Sequence, residues 1–223
     1  MNDDGLRKVF AEWLGSMILA ATVIGSGIMA ANLAGGNDAV ALIGNTAATG
    51  AILYVLIVGL GPISGAHFNP AVTLAFWLRG EMSIGSSIAF VLAQIIGCIL
   101  GALLAHVMFD LSVIQLSTHE RAGVGQVISE GAATFMLVFA ILATLRWRPS
   151  AVPAAVALTI CAGYWWTAST SFANPAITIA RALSDTFAGV RPGDVPGFIL
   201  GQIIGSIFAV YTVKWLIPAP QSD

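Results

Sequence analysis

The sequence predicts an all-α membrane protein: six transmembrane helices plus two re-entrant half-helices, arranged as two inverted repeats. Three observations carry that expectation. The composition is too oily for water, six apolar runs are long enough to cross a bilayer, and the tripeptide Asn-Pro-Ala occurs at 69–71 and again at 174–176. Of 223 residues, 57% are hydrophobic and only 9% charged, with a mean hydropathy of +0.89. Soluble domains carry about 25% charged residues, so this chain belongs in a membrane. The net charge of −2 and the scattered Lys and Arg offer no basic surface for nucleic acid. Cys98 and Cys161 lie in apolar runs without ligand spacing, so neither a structural disulfide nor a metal site is expected, and no cofactor motif appears.

Taken in order, the spans fall at about 9–34, 41–61, 84–109, 126–147, 151–169 and 196–217, punctuated by Gly, Pro, Asp or Arg. Arg7 and Lys8 before the first span imitate a secretory signal. The apolar region of such a signal is about 7–15 residues, whereas Val9 to Leu33 can cross roughly 30 Å at about 1.5 Å per residue. Short loops leave no room for a soluble unit, so residues 1–223 read as one membrane domain.

Its two halves, about 9–110 and about 124–217, echo each other. AEWLGSMILAATVI at 11–24 returns as SEGAATFMLVFAIL at 129–142, which sets Glu12 against Glu130. AQIIGCILGALLA at 93–105 returns as GQIIGSIFAVYTV at 201–213, setting Gln94 against Gln202. Three spans per half is an odd number, so the second half enters from the opposite side. Arg7, Lys8, Arg79, Arg146, Arg148 and Lys214 fall on one side, and Arg121, Arg181 and Arg191 on the other. The positive-inside bias then places both termini in the cytoplasm.

Bare backbone at membrane depth must be buried in protein or line a wet cavity. Asn is a favoured N-cap and Pro a favoured first helical residue, so Asn69-Pro70-Ala71 and Asn174-Pro175-Ala176 read as half-helix starts. From Pro70 to Arg79 a helix runs about 15 Å, and the same length fits after Pro175. Two such N-termini meeting at the midplane direct about half a positive charge each at one spot, repelling cations and protons. The Asn69 and Asn174 amides are candidate donors to a neutral solute. Gly65, Ala66, His67 and Phe68 before the first motif, and Ser171, Phe172 and Ala173 before the second, offer carbonyl acceptors along the wall. The expected activity is passive conduction of small uncharged solutes. An ion-coupled secondary transporter is the rival, since it also uses inverted repeats and broken helices. No nucleophile–base pair speaks for an enzyme.

SGAHFNPAVT at 64–73 and SFANPAIT at 171–178 resemble the two signature loops of the aquaporin and aquaglyceroporin family, and the similarity covers nearly the whole chain. The resemblance implies a pore in each subunit of a homotetramer, embedded in the lipid bilayer of the cell's inner membrane. In most of that family an arginine follows the second Asn-Pro-Ala; here the residue is Ile177. Counting the family's outer filter onto this chain without gaps gives Thr49, Ala162, Ser171 and Ile177, all small or apolar. Such a filter admits glycerol, urea or undissociated metalloid hydroxides such as arsenous acid as well as water; a water-selective pore is the alternative. Ile177 and TIARALSDTFAG at 178–189 also resemble a divergent bacterial branch associated with arsenic resistance. Arg181, one turn later, is expected elsewhere on the half-helix unless it snorkels to the mouth. Loss of the arginine is expected to weaken proton exclusion.

Glu12 and Glu130 are either a proton relay or, as the resemblance implies, braces for the signature loops. His67 is expected in the inner half of the pore. His106 and His119 have no partners nearby in sequence. Cys161, beside Ala162, is either a pore-facing thiol or packed in the core. Gly97 with Gly101, and Gly201 with Gly205, read as close helix contacts.

Overall fold

A computed structural model describes residues 3–217. Five helices are long and apolar enough to span a membrane: α1 (Asp3–Leu33), α2 (Asp38–Ser64), α4 (Ile84–Met108), α5 (Val124–Trp147) and α8 (Val195–Leu216). Between the long helices lie the half-helices α3 (Pro70–Leu78) and α7 (Pro175–Arg181). The sixth crossing, α6 (Val152–Trp166), has only 15 residues, about 22 Å at 1.5 Å per residue. It is shorter than the 151–169 read from the sequence. A single 3₁₀ turn at Pro149–Ala151 precedes it, and Thr167 closes it by donating from N and Oγ1 to the Gly163 carbonyl. The remaining residues of that run belong to the second re-entrant loop. We call the face bearing Asp3 the inner face and the opposite one the outer.

Local chemistry sets the other boundaries. The Asn37 side chain caps α2 by accepting from the N–H groups of Ala39 and Val40. At its far end α2 stops at Gly65, whose φ of 91° suits a residue without Cβ. An Asp4–Lys8 ion pair at 2.6 Å starts α1 a turn and a half before the apolar run. α7 has seven residues against nine in α3, so it covers about 10 Å instead of the expected 15 Å. It stops because the Arg181 carbonyl accepts from Ser184 and Val190 while Ser117 donates to the Ala182 carbonyl, turning the chain back.

α1 packs on α4, and α5 on α8, through glycine. A Cβ at Gly97 or Gly101 would strike the Trp13 or Met17 carbonyl, and one at Gly201 or Gly205 the Val127 or Gly131 carbonyl. Those backbone contacts draw the helices together around the two re-entrant loops.

Candidate pore and its re-entrant loops

Each re-entrant loop is held by one buried carboxylate. Glu12 accepts at Oε1 from Ser64 Oγ (2.6 Å) and His67 N (2.9 Å), and at Oε2 from Phe68 N (2.7 Å) and Gln94 Nε2 (2.8 Å). Glu130 repeats the pattern with Ser169 Oγ (2.5 Å), Phe172 N (2.9 Å), Ala173 N (2.8 Å) and Gln202 Nε2 (2.6 Å). The glutamines donate onward to Thr73 and Thr178. With four donors on two oxygens, each carboxylate acts as a brace and has no spare direction for a relayed proton. The bracing has something to hold. Ala66, Phe68, Ser171 and Ala173 have φ between 48° and 52°, a left-handed conformation that costs a non-glycine residue about 1–3 kcal/mol.

The two loops interlock at the midplane. Asn69 accepts from Ala71 N through Oδ1 and donates through Nδ2 to the Ala173 carbonyl at 2.7 Å. Asn174 accepts from Ala176 N and Ile177 N and donates to the Phe68 carbonyl at 2.8 Å. One N–H of each amide is thereby used inside the protein and the second is left over. Both asparagines line a cavity of about 200 Å³ that runs from Leu145 and Val152 past the midplane to Tyr164 and Arg181. Its remaining wall is mostly aliphatic, from Leu19, Leu53, Leu137 and Ile160 among others.

Of the sequence-predicted residues, Thr49, Gly65, Ala66, His67, Phe68, Ser171, Phe172 and Ile177 also line this cavity. Pro70, Ala71, Pro175 and Ala176 start the half-helices behind it, and Ala173 contributes its carbonyl to Asn69. On the inner side His67 stacks on Phe76 with ring centroids 4.4 Å apart and meets the Phe90 edge at 5.6 Å. On the outer side Thr49 Oγ1 lies 3.2 Å from the Tyr164 hydroxyl, and Ser171 packs where Gly163 leaves room.

Two expectations change, those for Ala162 and Arg181, and one open alternative closes, that for Cys161. Ala162 is exposed on the flank of α6 together with Leu158 and Trp165 and does not reach the cavity. The helical period brings Val156, Ile160 and Tyr164 there instead, so Tyr164 replaces Ala162 at the mouth. Ungapped counting registers a residue number and cannot register which way the helix faces. Cys161 points at α2, its Sγ 3.6 Å from the Thr46 carbonyl and against Gly50, so it is packed. Arg181 does reach the mouth: it is 2% exposed, lines the cavity, and donates from Nε to the Ala188 carbonyl. Its guanidinium carbon lies 3.3 Å from the Phe172 ring centroid. Arg121, from the loop before α5, approaches the same ring at 5.1 Å. Burial pushes the Arg121 guanidinium below its ordinary pKa, while Glu130 and Tyr164 pull it up; an arginine stays charged regardless. His106 bridges the Val113 carbonyl and Ser184 Oγ, a structural role. Among the described residues no cluster of His, Cys, Asp and Glu has the makings of a metal site.

Residues 2–161 match the major intrinsic protein family. The chain belongs to that family. This major intrinsic protein is 51% identical to the aquaglyceroporin AqpS of Rhizobium meliloti (strain 1021), over 96% of this chain and 91% of that one. It is 29% identical to aquaporin A of Dictyostelium discoideum, over 95% and 78% of the two chains. The solved aquaglyceroporin of Plasmodium falciparum has the same fold, with a TM-score of 0.79 across 96% of this chain and 98% of that one, at 17% identity. Family membership makes the protein a passive membrane channel for small solutes, not an enzyme and not an ion-coupled transporter.

Proposed function

We propose that this channel has a wide outer filter and passes water, glycerol-like polyols and undissociated metalloid hydroxides such as arsenous acid. The observation that carries the reading is Ile177: the position after the second motif holds a buried aliphatic side chain on the cavity wall, beside the small residues Thr49 and Ser171. Asn69 and Asn174 are the midplane donors, each with one N–H left over for a passing oxygen. The 51% identity to a protein named as an aquaglyceroporin supports the same substrate class. The assembly we propose is a homotetramer in the cell's inner membrane with both termini cytoplasmic. Residues 1–2 and 218–223, the termini themselves, lie outside the described residues.

Stopped-flow light scattering on proteoliposomes tests the filter, with water, glycerol and arsenous acid as solutes in the wild type and Ile177→Arg. The expected result is permeation of all three by the wild type and an arginine variant that loses the larger solutes far more than water. A second reading, a water-selective pore, draws on Tyr164 and Arg181 at the mouth. A wild type that passes water alone would establish it and end the metalloid proposal.

A further inference from the structure

We infer that Arg181 and Arg121, gripping the Phe172 ring, form a displaced cationic collar at the outer mouth, and that this collar excludes cations and protons from a pore whose residue 177 is uncharged. The inference rests on the reading that the cavity conducts neutral solutes. It starts from spacing: Arg181 follows Ile177 by four residues, so both share one face of α7, with Arg181 a turn nearer the outside. Arg181 is buried and still forms part of the cavity wall. Its position is over-determined, by the bond from Nε to the Ala188 carbonyl and by the contact with Phe172 at 3.3 Å. Arg121 reaches Phe172 from a different segment and is anchored through Nε to the Gly189 carbonyl (2.8 Å) and Nη1 to the Ser169 carbonyl (3.5 Å).

Neither guanidinium has an ion-pair partner among the described residues. The acids around them are occupied elsewhere. Asp194 accepts from the Arg121 backbone N–H and from Arg191, Glu120 pairs with Arg191, and Asp185 accepts from Thr118. Glu130 is taken up by the loop it braces. Arg181 thus sets a buried positive charge on the cavity wall, and half-buried Arg121 sets a second one against the same Phe172 ring without lining the cavity itself; salt screens such charges less than those at an open surface. Their field adds to that of the half-helix N-termini, so an entering cation meets repulsion before it reaches the midplane. On this account the missing arginine at 177 leaves the filter wider without leaving it leaky.

The test compares proton influx, read with an entrapped pH dye under an imposed pH gradient, with water and glycerol flux in the same proteoliposomes. The variants are Arg181→Gln, Arg181→Lys and Arg121→Gln in the full chain. The collar predicts that proton influx per unit of water flux rises about tenfold in Arg181→Gln, rises less in Arg121→Gln, and stays at the wild-type ratio in Arg181→Lys. An unchanged ratio in a water-conducting Arg181→Gln overturns the inference, as does a wild type already as leaky as that variant. Should Arg181→Gln give no water flux because the turn to Ala188 is lost, Arg121→Gln decides: an unchanged ratio there rejects the collar. Failure of the wide-filter reading shows separately, as absent glycerol flux in the wild type, and leaves the proton comparison intact.

Discussion

The first and second re-entrant loops are built alike and finished differently. Glu12 with Gln94 and Glu130 with Gln202 bind equivalent backbone groups, and Asn69 and Asn174 exchange carbonyl partners across the midplane. An offset of 105 residues relates Ser64 to Ser169, Phe68 to Ala173 and Thr73 to Thr178. The same offset relates His67 to Phe172, Val72 to Ile177 and Phe76 to Arg181. In the inner mouth two rings stack, His67 on Phe76; in the outer mouth a guanidinium takes the place of the second ring, Arg181 on Phe172. The duplication therefore separates two tasks. Bracing tolerates no variation because strained backbone depends on it, whereas the pore-facing flank is free to differ between the two mouths.

The largest expected effect tests the shared part. Glu12→Leu or Glu130→Leu orphans four donors, each costing about 1–3 kcal/mol when left unmade, so either variant should lose about 4 kcal/mol or more. Thermal unfolding and monodisperse recovery in detergent would report it. Equal damage in both halves is the expectation, and a tolerated Glu130→Leu beside a ruined Glu12→Leu would break the equivalence. Next come the paired substitutions at the flank. Ile177→Arg should lower glycerol permeation about tenfold, roughly 1.4 kcal/mol of barrier, because Thr49 and Ser171 leave room for a side chain that narrows the mouth. Val72→Arg, on the cavity wall one turn before Phe76, should lower water and glycerol together. Identical flux profiles for the two variants would show that the mouths do not differ in the way described.

At the helix seams the expected effect is on stability and not on selectivity. Gly97→Ala and Gly205→Ala each press a methyl group onto a facing carbonyl and should cost about 1–3 kcal/mol, again measured by thermal unfolding and again equal between halves. Smallest is Cys161→Ala. Because the thiol faces α2 and not the cavity, solute flux should be unchanged, and a mercurial should leave the flux of wild type and variant alike undiminished.

Much of this was legible in the residues. Apolar run lengths, the two Asn-Pro-Ala copies and the Glu and Gln offsets announced the spans, the half-helices and the internal symmetry, because each is a local or periodic property that repeats when the chain is duplicated. The readings that failed depended on direction or on a distant partner. Ala162 and Tyr164 are two residues apart, and only the rotation of α6 against α2 decides which faces the cavity. α7 is shorter than expected for a related reason: the donors from Val190 and Ser117 that turn the chain back after Arg181 lie outside the segment, whereas α6 ends on a local bond from Thr167 to the Gly163 carbonyl.

By itself, then, the amino-acid sequence determined that the chain spans a membrane, breaks two helices at asparagine-capped starts, and carries an uncharged residue after the second motif. Only the tertiary structure decided that Glu12 and Glu130 have all their acceptor directions filled, that Cys161 is turned away from the cavity, and that Arg181 reaches the mouth to lie over Phe172. The physical reason is that capping and hydrophobic burial are read within a few residues, whereas the place of a long cationic side chain is set by carbonyls and rings from segments far apart in sequence.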